Sequence, residues 1–281
     1  MIEFGKVTKK YGDQIALDNI TMKIDSSGIY CLLGRNGAGK TTFMKLVSGY
    51  MNTTEGKIKI DGKVISTAKM PESVNFIENN SPQFNMKVGD LIATAASLQD
   101  DFDKEFAQEM VKKFNLNEQK KYKQLSFGMK TMLTTILTLA NNSGVILLDE
   151  PTLGFDAIMR DQFNSLLLES YSKHPRIIIV STHMIDEIAK VTECLIIIDK
   201  GKILLQTTLE DIDEHAYSLT GRTDVMESII KDLNCIGKTN IGGMMVAQIY
   251  GDRIKLPKDV TLDRVSLQDF FIAIVGGKNN E

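Results

Sequence analysis

Gly34-Arg35-Asn36-Gly37-Ala38-Gly39-Lys40-Thr41 fits the pattern G-x-x-x-x-G-K-[ST] and directly follows the apolar run Ile29-Tyr30-Cys31-Leu32-Leu33. A strand that feeds a glycine-rich turn and then a helix aims its backbone N–H groups inward, and the helix start adds the positive end of its dipole. That is chemistry for a polyphosphate. In such a cradle Lys40 reaches the β- and γ-phosphates and the Thr41 hydroxyl ligates Mg²⁺, with Thr42 next in the opening helix. A second constellation lies downstream, where Val145-Ile146-Leu147-Leu148 runs straight into Asp149 and Glu150. An aliphatic strand ending in two acids sets Asp149 beside a hydrated Mg²⁺ and leaves Glu150 to orient or deprotonate an attacking water. The cradle by itself says nucleoside triphosphate; the use made of it has to be read elsewhere in the chain.

The elements that must position these residues follow from periodicity. Residues 3–24 alternate apolar and polar side chains around Gly12-Asp13, which predicts antiparallel strands joined by a hairpin. Phe43, Leu46 and Val47 stand at helical spacing after the cradle, and Gly49 ends that helix. Gly56 to Gly62 alternates again as a short strand. Residues 88–142 read as a helical insert, with Phe102, Phe106, Met110, Val111 and Phe114 approximating one face and Met129 to Ala140 a buried helix. Three continuous aliphatic runs, residues 145–148, 177–180 and 195–198, are strands of a parallel sheet buried on both faces. Composition breaks near Asp211 to His215. Beyond it the spacing predicts a small α+β appendix: strand 217–220, helix 224–233, strands 244–250 and 253–256, and a last helix from Leu267 capped by Ser266. The division expected is therefore 1–215 and 216–281.

Composition narrows the function classes. A formal net charge of −3 in 281 residues and the lack of a basic stripe argue against a nucleic-acid partner. The patch Lys112-Lys113 and Lys120-Lys121-Tyr122-Lys123 alternates with Glu109 and Glu118 and reads as a solvated helix face. Cys31, Cys194 and Cys235 lack metal-ligand spacing and fit a reduced, cytosolic compartment. The apolar runs are too short to span a bilayer, so a membrane role would go through a partner.

Leu125-Ser126-Phe127-Gly128-Met129 adds a third motif. Read locally, Ser126 caps the helix that follows, and that helix start is also an anion site. With this motif in place, residues 2 to 215 resemble the nucleotide-binding subunits of ABC ATPases, whose signature is leucine-serine-glycine-glycine-glutamine; Phe127 and Met129 depart from it. The resemblance implies a P-loop α/β cassette: a mixed core sheet with flanking helices, an antiparallel β subdomain and a helical insert, followed by the C-terminal α+β appendix. It implies ATP and Mg²⁺ as ligands held by Gly34 to Thr42, with Tyr11 stacking on adenine. Ser126 and Gly128 then reach the γ-phosphate held by a second cassette, in a homodimer or a paralogous heterodimer. Asp156 in Pro151-Thr152-Leu153-Gly154-Phe155-Asp156 corresponds to the family's D-loop aspartate, and His183 in Ser181-Thr182-His183 to its switch histidine beside Glu150. For the place of the glutamine that usually meets Mg²⁺ on the loop before the insert, Glu78 is favoured and Gln83 competes with it.

The same resemblance favours an ATPase subunit on the cytoplasmic face of the membrane, bound to a separate permease chain. Residues 41–125 leave no room for the long heptad-rich insert of DNA-repair relatives, and a single cassette departs from the translation-factor type. Lys40, Asp149, Glu150 and His183 are intact, unlike in degenerate subunits. The motif variants look like those of bacterial exporters of lantibiotics, drugs or amphipathic peptides, although soluble, import and immunity-type ATPases remain alternatives.

Overall fold

Alternation in residues 3–24 resolves into two long antiparallel strands, β1 (Ile2–Tyr11) and β2 (Gln14–Ile24), turning at Gly12 with φ +57°. They come from a computed structural model of the chain that describes residues 1–78, 84–183, 185–257 and 259–277. Next, β3 (Gly28–Leu33) is buried along its whole length and runs into the glycine turn and α1 (Lys40–Val47). The hairpin strands β4 (Glu55–Ile60) and β5 (Lys63–Val64) follow, then β6 (Val74–Ile77). The insert contributes α2 (Val88–Leu98), α3 (Lys104–Lys113) and α4 (Phe127–Leu139). After it come β7 (Val145–Asp149), α5 (Ala157–Lys173), β8 (Ile177–Thr182), the short α6 (Ile185–Ile188) and β9 (Cys194–Asp199).

Contacts divide the chain into Met1–Thr192 with Ile198–Ile203, and Glu193–Ile197 with the chain from Leu204 onward. In the first unit, β3, β8, β7 and β6 lie side by side as parallel strands. The aliphatic side chains of β3, β7 and β8 are buried on both faces, which is why these runs are continuous rather than alternating. Antiparallel strands in the order β2-β1-β4-β5 form a second sheet, and Phe4 on β1 stacks on Phe43 of α1 with ring centroids 4.7 Å apart. That stack ties the cradle helix to the antiparallel layer. Insert helices close on Phe106, Met110 and Val111 of α3 and Met132, Leu133 and Ile136 of α4, all buried. Asp103 caps α3 by accepting from Phe106 N, and Lys173 pairs with the same carboxylate at 2.6 Å.

The chain passes into the second unit within β10 (Lys202–Thr208), at Leu204, and continues there with α7 (Leu209–His215), β11 (Ala216–Arg222), α8 (Thr223–Ile229), β12 (Cys235–Ile241), β13 (Met244–Tyr250), β14 (Thr261–Arg264) and α9 (Leu267–Gly277). An antiparallel sheet in the order β12-β13-β11-β14 packs its face on Tyr217, Leu219, Met226, Met245, Ala247 and Ile249. The expected α+β character holds, and Ser266 does cap α9 by accepting from Asp269 N at 3.0 Å. Three local expectations fail. Residues 253–256 are not a strand: Pro257 breaks the run, its carbonyl accepts from Val260 N in a turn, and the edge of β11 pairs instead with β14. The strand β12 was missed because Gly237 and Asn240 weaken its pattern, although the Gly242-Gly243 turn after it, with φ +56° and +84°, is a hairpin signal. The break near 211–215 is helical, because Thr208 caps α7 through Asp211 N.

Candidate active site

The cradle is shaped by what its glycines keep out. A Cβ on Gly34 would stand 2.4 Å from the Ile198 carbonyl oxygen, and one on Gly39 2.7 Å from that of Ala16. Gly39 also holds φ +110° as the N-cap of α1, and no side chain caps this helix. Its first-turn N–H groups are therefore left for an anion. Lys40 is buried; its Nζ donates to Gly34 O at 2.7 Å and pairs with Glu150 Oε1 at 3.2 Å. Thr41 Oγ1 donates to Asp149 Oδ2 at 2.7 Å, so the cradle helix and the end of β7 meet through a hydroxyl and a carboxylate.

Glu150 sits one residue past β7 in the left-handed region, φ +47°, a conformation that costs a non-glycine residue about 1 kcal/mol or more. Its N–H donates to Ser181 Oγ at 3.0 Å and to Ser181 O at 3.2 Å, and its Oε2 lies 2.9 Å from His183 Nδ1. The side chain thus lies between the cradle lysine and the histidine that follows β8. Tyr11, Arg35, Asn36, Gly37, Lys40, Thr41, Thr42 and Glu150 line one cleft of about 660 Å³. Tyr11 is half-exposed there, its hydroxyl 3.0 Å from Met51 Sδ. Cys31 on β3 lies behind these groups, and burial, followed by the charge of Glu150, pushes its thiol up to about 12. The protonated thiol is therefore its favoured form at neutral pH.

These donors suit a triphosphate with a hard, oxygen-liganded cation. Among the described residues no cluster of three His, Cys, Asp or Glu side chains forms a self-contained metal site. A cation at Thr41 and Asp149 would need phosphate oxygens or water to complete its shell, as Mg²⁺ usually does.

Ser126, Gly128 and Asp156 gather elsewhere in the first unit. Ser126 caps α4 by accepting from Met129 N at 3.3 Å, and Asp156 caps α5 by accepting from Met159 N at 2.8 Å. A Cβ on Gly128 would meet Met159 at 2.9 Å, and one on Gly154 would meet the Phe127 ring at 3.0 Å, so the two helix starts are packed on each other. None of the three lines the cradle cleft. Glu78 follows β6, and its Oε1 is 2.5 Å from Lys45 Nζ, one turn beyond Thr41 on α1; Gln83 lies outside the described residues. Sequence reasoning overlooked Lys45, the hydroxyl of Ser181, and the Lys200-Gly201 turn that lines the cleft. Only the last left a local signal, the turn dipeptide after an aliphatic strand.

A strand-turn-helix phosphate cradle in an α/β core, with an antiparallel sheet and a helical insert, defines a P-loop nucleotide-binding cassette. The dimeric structure of an ATP-binding cassette in a post-hydrolysis state, bound to ADP and Pi, shares this fold at TM-score 0.63 and 22% identity, over 74% of this chain and 99% of that one. The family model described as ABC transporter matches residues 17–153. The lantibiotic transport ATP-binding protein SrtF of Streptococcus pyogenes is 30% identical over 214 residues, 73% of this chain and 90% of that protein. The taurine import ATP-binding protein TauB of Escherichia coli is 30% identical over 208 residues, 72% and 80% of the two chains. This chain belongs to the ABC transporter family as an ATP-binding subunit, an ABC ATPase. Cassettes of the family work as dimers and with membrane permease subunits. Among the described residues no helix is long and apolar enough to cross a membrane.

Proposed function

We propose that this subunit hydrolyses ATP with Mg²⁺ to drive export of a peptide or drug-like substrate through a separate permease, from the cytoplasmic face of the membrane. The observation that carries the catalytic part is that Lys40, Thr41 and Glu150 line one cleft, with Asp149 hydrogen-bonded to Thr41 and His183 in contact with Glu150. Gly34 to Thr42 hold the triphosphate through backbone N–H groups and Lys40, and Tyr11 offers its ring at the cleft mouth for the base. Bound Mg²⁺, held by Thr41 and Asp149, would neutralise charge between the β- and γ-phosphates. A triphosphate displaces Glu150 from Lys40, and the freed carboxylate takes the proton of the attacking water. His183 keeps that carboxylate in line through the contact at its Nδ1.

Ser126 and Gly128 complete the site on a second cassette, with Asp156 at the junction, in a homodimer or a paralogous heterodimer. Glu78 takes the linker place in preference to Gln83. Residues 1–215 form the motor and 216–281 an accessory domain. Support for export comes from the lantibiotic transport relative and the exporter-like motif variants read in the sequence; TauB, at the same identity, supports import as the second reading. The test is ATP turnover and substrate flux of the complex purified with its permease and reconstituted in vesicles. Glu150→Gln is expected to lower kcat at least about a hundredfold while ATP still binds. Undiminished turnover refutes the catalytic assignment, and ATP-driven uptake in the inward sense refutes export.

A further inference from the structure

Ser181 is the polar exception in an apolar strand. Ile177-Ile178-Ile179-Val180 precede it on β8, and its side chain has no exposure at all. A hydroxyl buried in the middle of a parallel sheet is tolerated only when its hydrogen bonds are made. Here they are made to both acids of the site. The β7–β8 register sets Ser181 opposite Asp149; Ser181 Oγ donates to Asp149 Oδ1 at 2.5 Å and accepts from Glu150 N at 3.0 Å.

The two oxygens of Asp149 are thereby divided. Oδ1 is held by Ser181 and Oδ2 by Thr41, from opposite sides, which fixes the rotation of the carboxylate. The same hydroxyl pins the amide of Glu150, where the backbone adopts φ +47° and turns the side chain towards Lys40 and His183. One hydroxyl sets the direction of the cation-facing oxygen and of the water-facing carboxylate together.

We infer that Ser181 is a positioning residue for the hydrolytic step, acting through Asp149 and Glu150 without touching nucleotide. The inference rests on the proposed roles of those two acids. Its consequence is that the hydroxyl, and not the volume of the side chain, couples cation binding to catalysis. Thr and Val have nearly the same shape and differ in that hydroxyl, and both suit a strand.

The experiment compares Ser181→Thr, Ser181→Val and Ser181→Ala in the full chain. Binding of a fluorescent ATP analogue is titrated with and without Mg²⁺, and ATP turnover of the permease complex is measured alongside, with thermal melts of each variant. A charge-assisted hydrogen bond lost in a dry site corresponds to about a tenfold to hundredfold effect. Val and Ala are expected to lose about tenfold in the gain of affinity conferred by Mg²⁺ and at least as much in kcat, with metal-free binding unchanged; Thr retains both within about threefold. In an Asp149→Asn background the Val substitution adds less than about twofold to the loss of Mg²⁺ response. Equal behaviour of Thr and Val overturns the inference, as does a loss that follows the melting temperature across all three variants. Asp149→Asn and Glu150→Gln are run in parallel. If they keep the Mg²⁺ response and turnover, the reading of the acids fails; if they lose them and Ser181→Val does not, the inference about Ser181 alone fails.

Discussion

The glycines of the cradle do different jobs, and alanine substitutions should separate them. At Gly37 φ is +81° and an added Cβ meets nothing within 4 Å, so the cost is conformational only. Placing an L side chain in that region costs about 1–2 kcal/mol, and removing a glycine from the unfolded chain returns about 0.4–1 kcal/mol, leaving a net loss near 1 kcal/mol. Gly34 and Gly39 are different. The Gly34 Cβ would lie 2.4 Å from a backbone oxygen and 2.9 Å from Ile198 Cγ2, and the Gly39 Cβ 2.7 Å from Ala16 O and 2.8 Å from Leu17 Cδ2, with φ +110° in addition. Backbone cannot swing aside as a side chain does, so strand ends must part, at about 3 kcal/mol or more for each. For a unit of this size about 2–4 °C of melting temperature accompanies each kcal/mol. Gly37→Ala is thus expected to lower the melting temperature by less than about 5 °C, and Gly37→Asn by still less, since Asn enters the left-handed region readily. Gly34→Ala and Gly39→Ala should fall by roughly 6 °C or more and lose ATP binding outright. The assay is scanning calorimetry of the purified chain with and without Mg-ATP. Equal losses at positions 34 and 37 would refute the steric argument.

Three further predictions concern pairs and caps. Lys45 and Glu78 are partly exposed, so Lys45→Met should cost less than about 1 kcal/mol of stability, yet on the proposed linker role of Glu78 it frees a carboxylate beside the phosphate cradle. ATP affinity is expected to fall about threefold to tenfold and to recover in Lys45→Met with Glu78→Gln, as measured by a double-mutant cycle; no recovery would separate Glu78 from the phosphate site. Buried Arg176 donates to Leu139 O at 2.7 Å and Ser170 Oγ at 2.6 Å, closing the end of α4, while burial pulls its pKa down to about 10. Arg176→Met should destabilise by about 2–4 kcal/mol in a denaturant melt, and a cost below about 1 kcal/mol would sink the capping role. Hydrogen bonds from Tyr250 and Thr207, with a smaller contribution from the charge of His215, hold the Asp211 carboxyl below its usual range. A depressed folded pKa contributes stability above about pH 3.9 that is lost as pH falls through the folded value. Tyr250→Phe should shrink that acid-linked loss, followed by near-UV dichroism between pH 2 and 6; an unchanged acid profile would refute the role of Tyr250.

What could be read from the sequence was whatever chemistry and backbone shape share one stretch of chain. Gly34 to Thr41 carries the steric demand, the helix start and the cation in consecutive residues, and Val145 to Glu150 carries strand and acids together. Their pattern is nearly the structure itself. The contacts that join such stretches left no local trace. Ser181 looks like any serine at a strand end until the β7–β8 register sets it opposite Asp149, and Lys45 looks like a solvated helix residue until β6 delivers Glu78 to it. Register decided the second unit as well. Residues 253–256 have as good an alternating pattern as residues 261–264, but only the latter, beyond the Pro257 turn, reach the edge of β11.

The departures in the third motif bear on how two cassettes meet. Ser126 and Asp156 each accept one first-turn N–H of α4 and α5, so within one chain both helix starts carry a cap and keep further N–H groups to offer. Between them the Phe127 ring covers Gly154, whose φ of +80° and contact with that ring leave no space for a side chain. Phe127 at the start of α4 and Leu153 on the loop before α5 are about half exposed, and Ile158 in the first turn of α5 is 72% exposed, so apolar side chains are presented around the two helix starts. Apolar side chains gathered around two helix starts suit burial against another protein surface better than solvent. A second cassette arriving there would cover the ring and the leucine while Gly128, already closed in by Met159, keeps the backbone low enough for a phosphate to approach α4. Where the family places a glycine, this chain places a hydrophobic contact, so its paired state should draw on apolar burial at the signature as well as on the shared nucleotide.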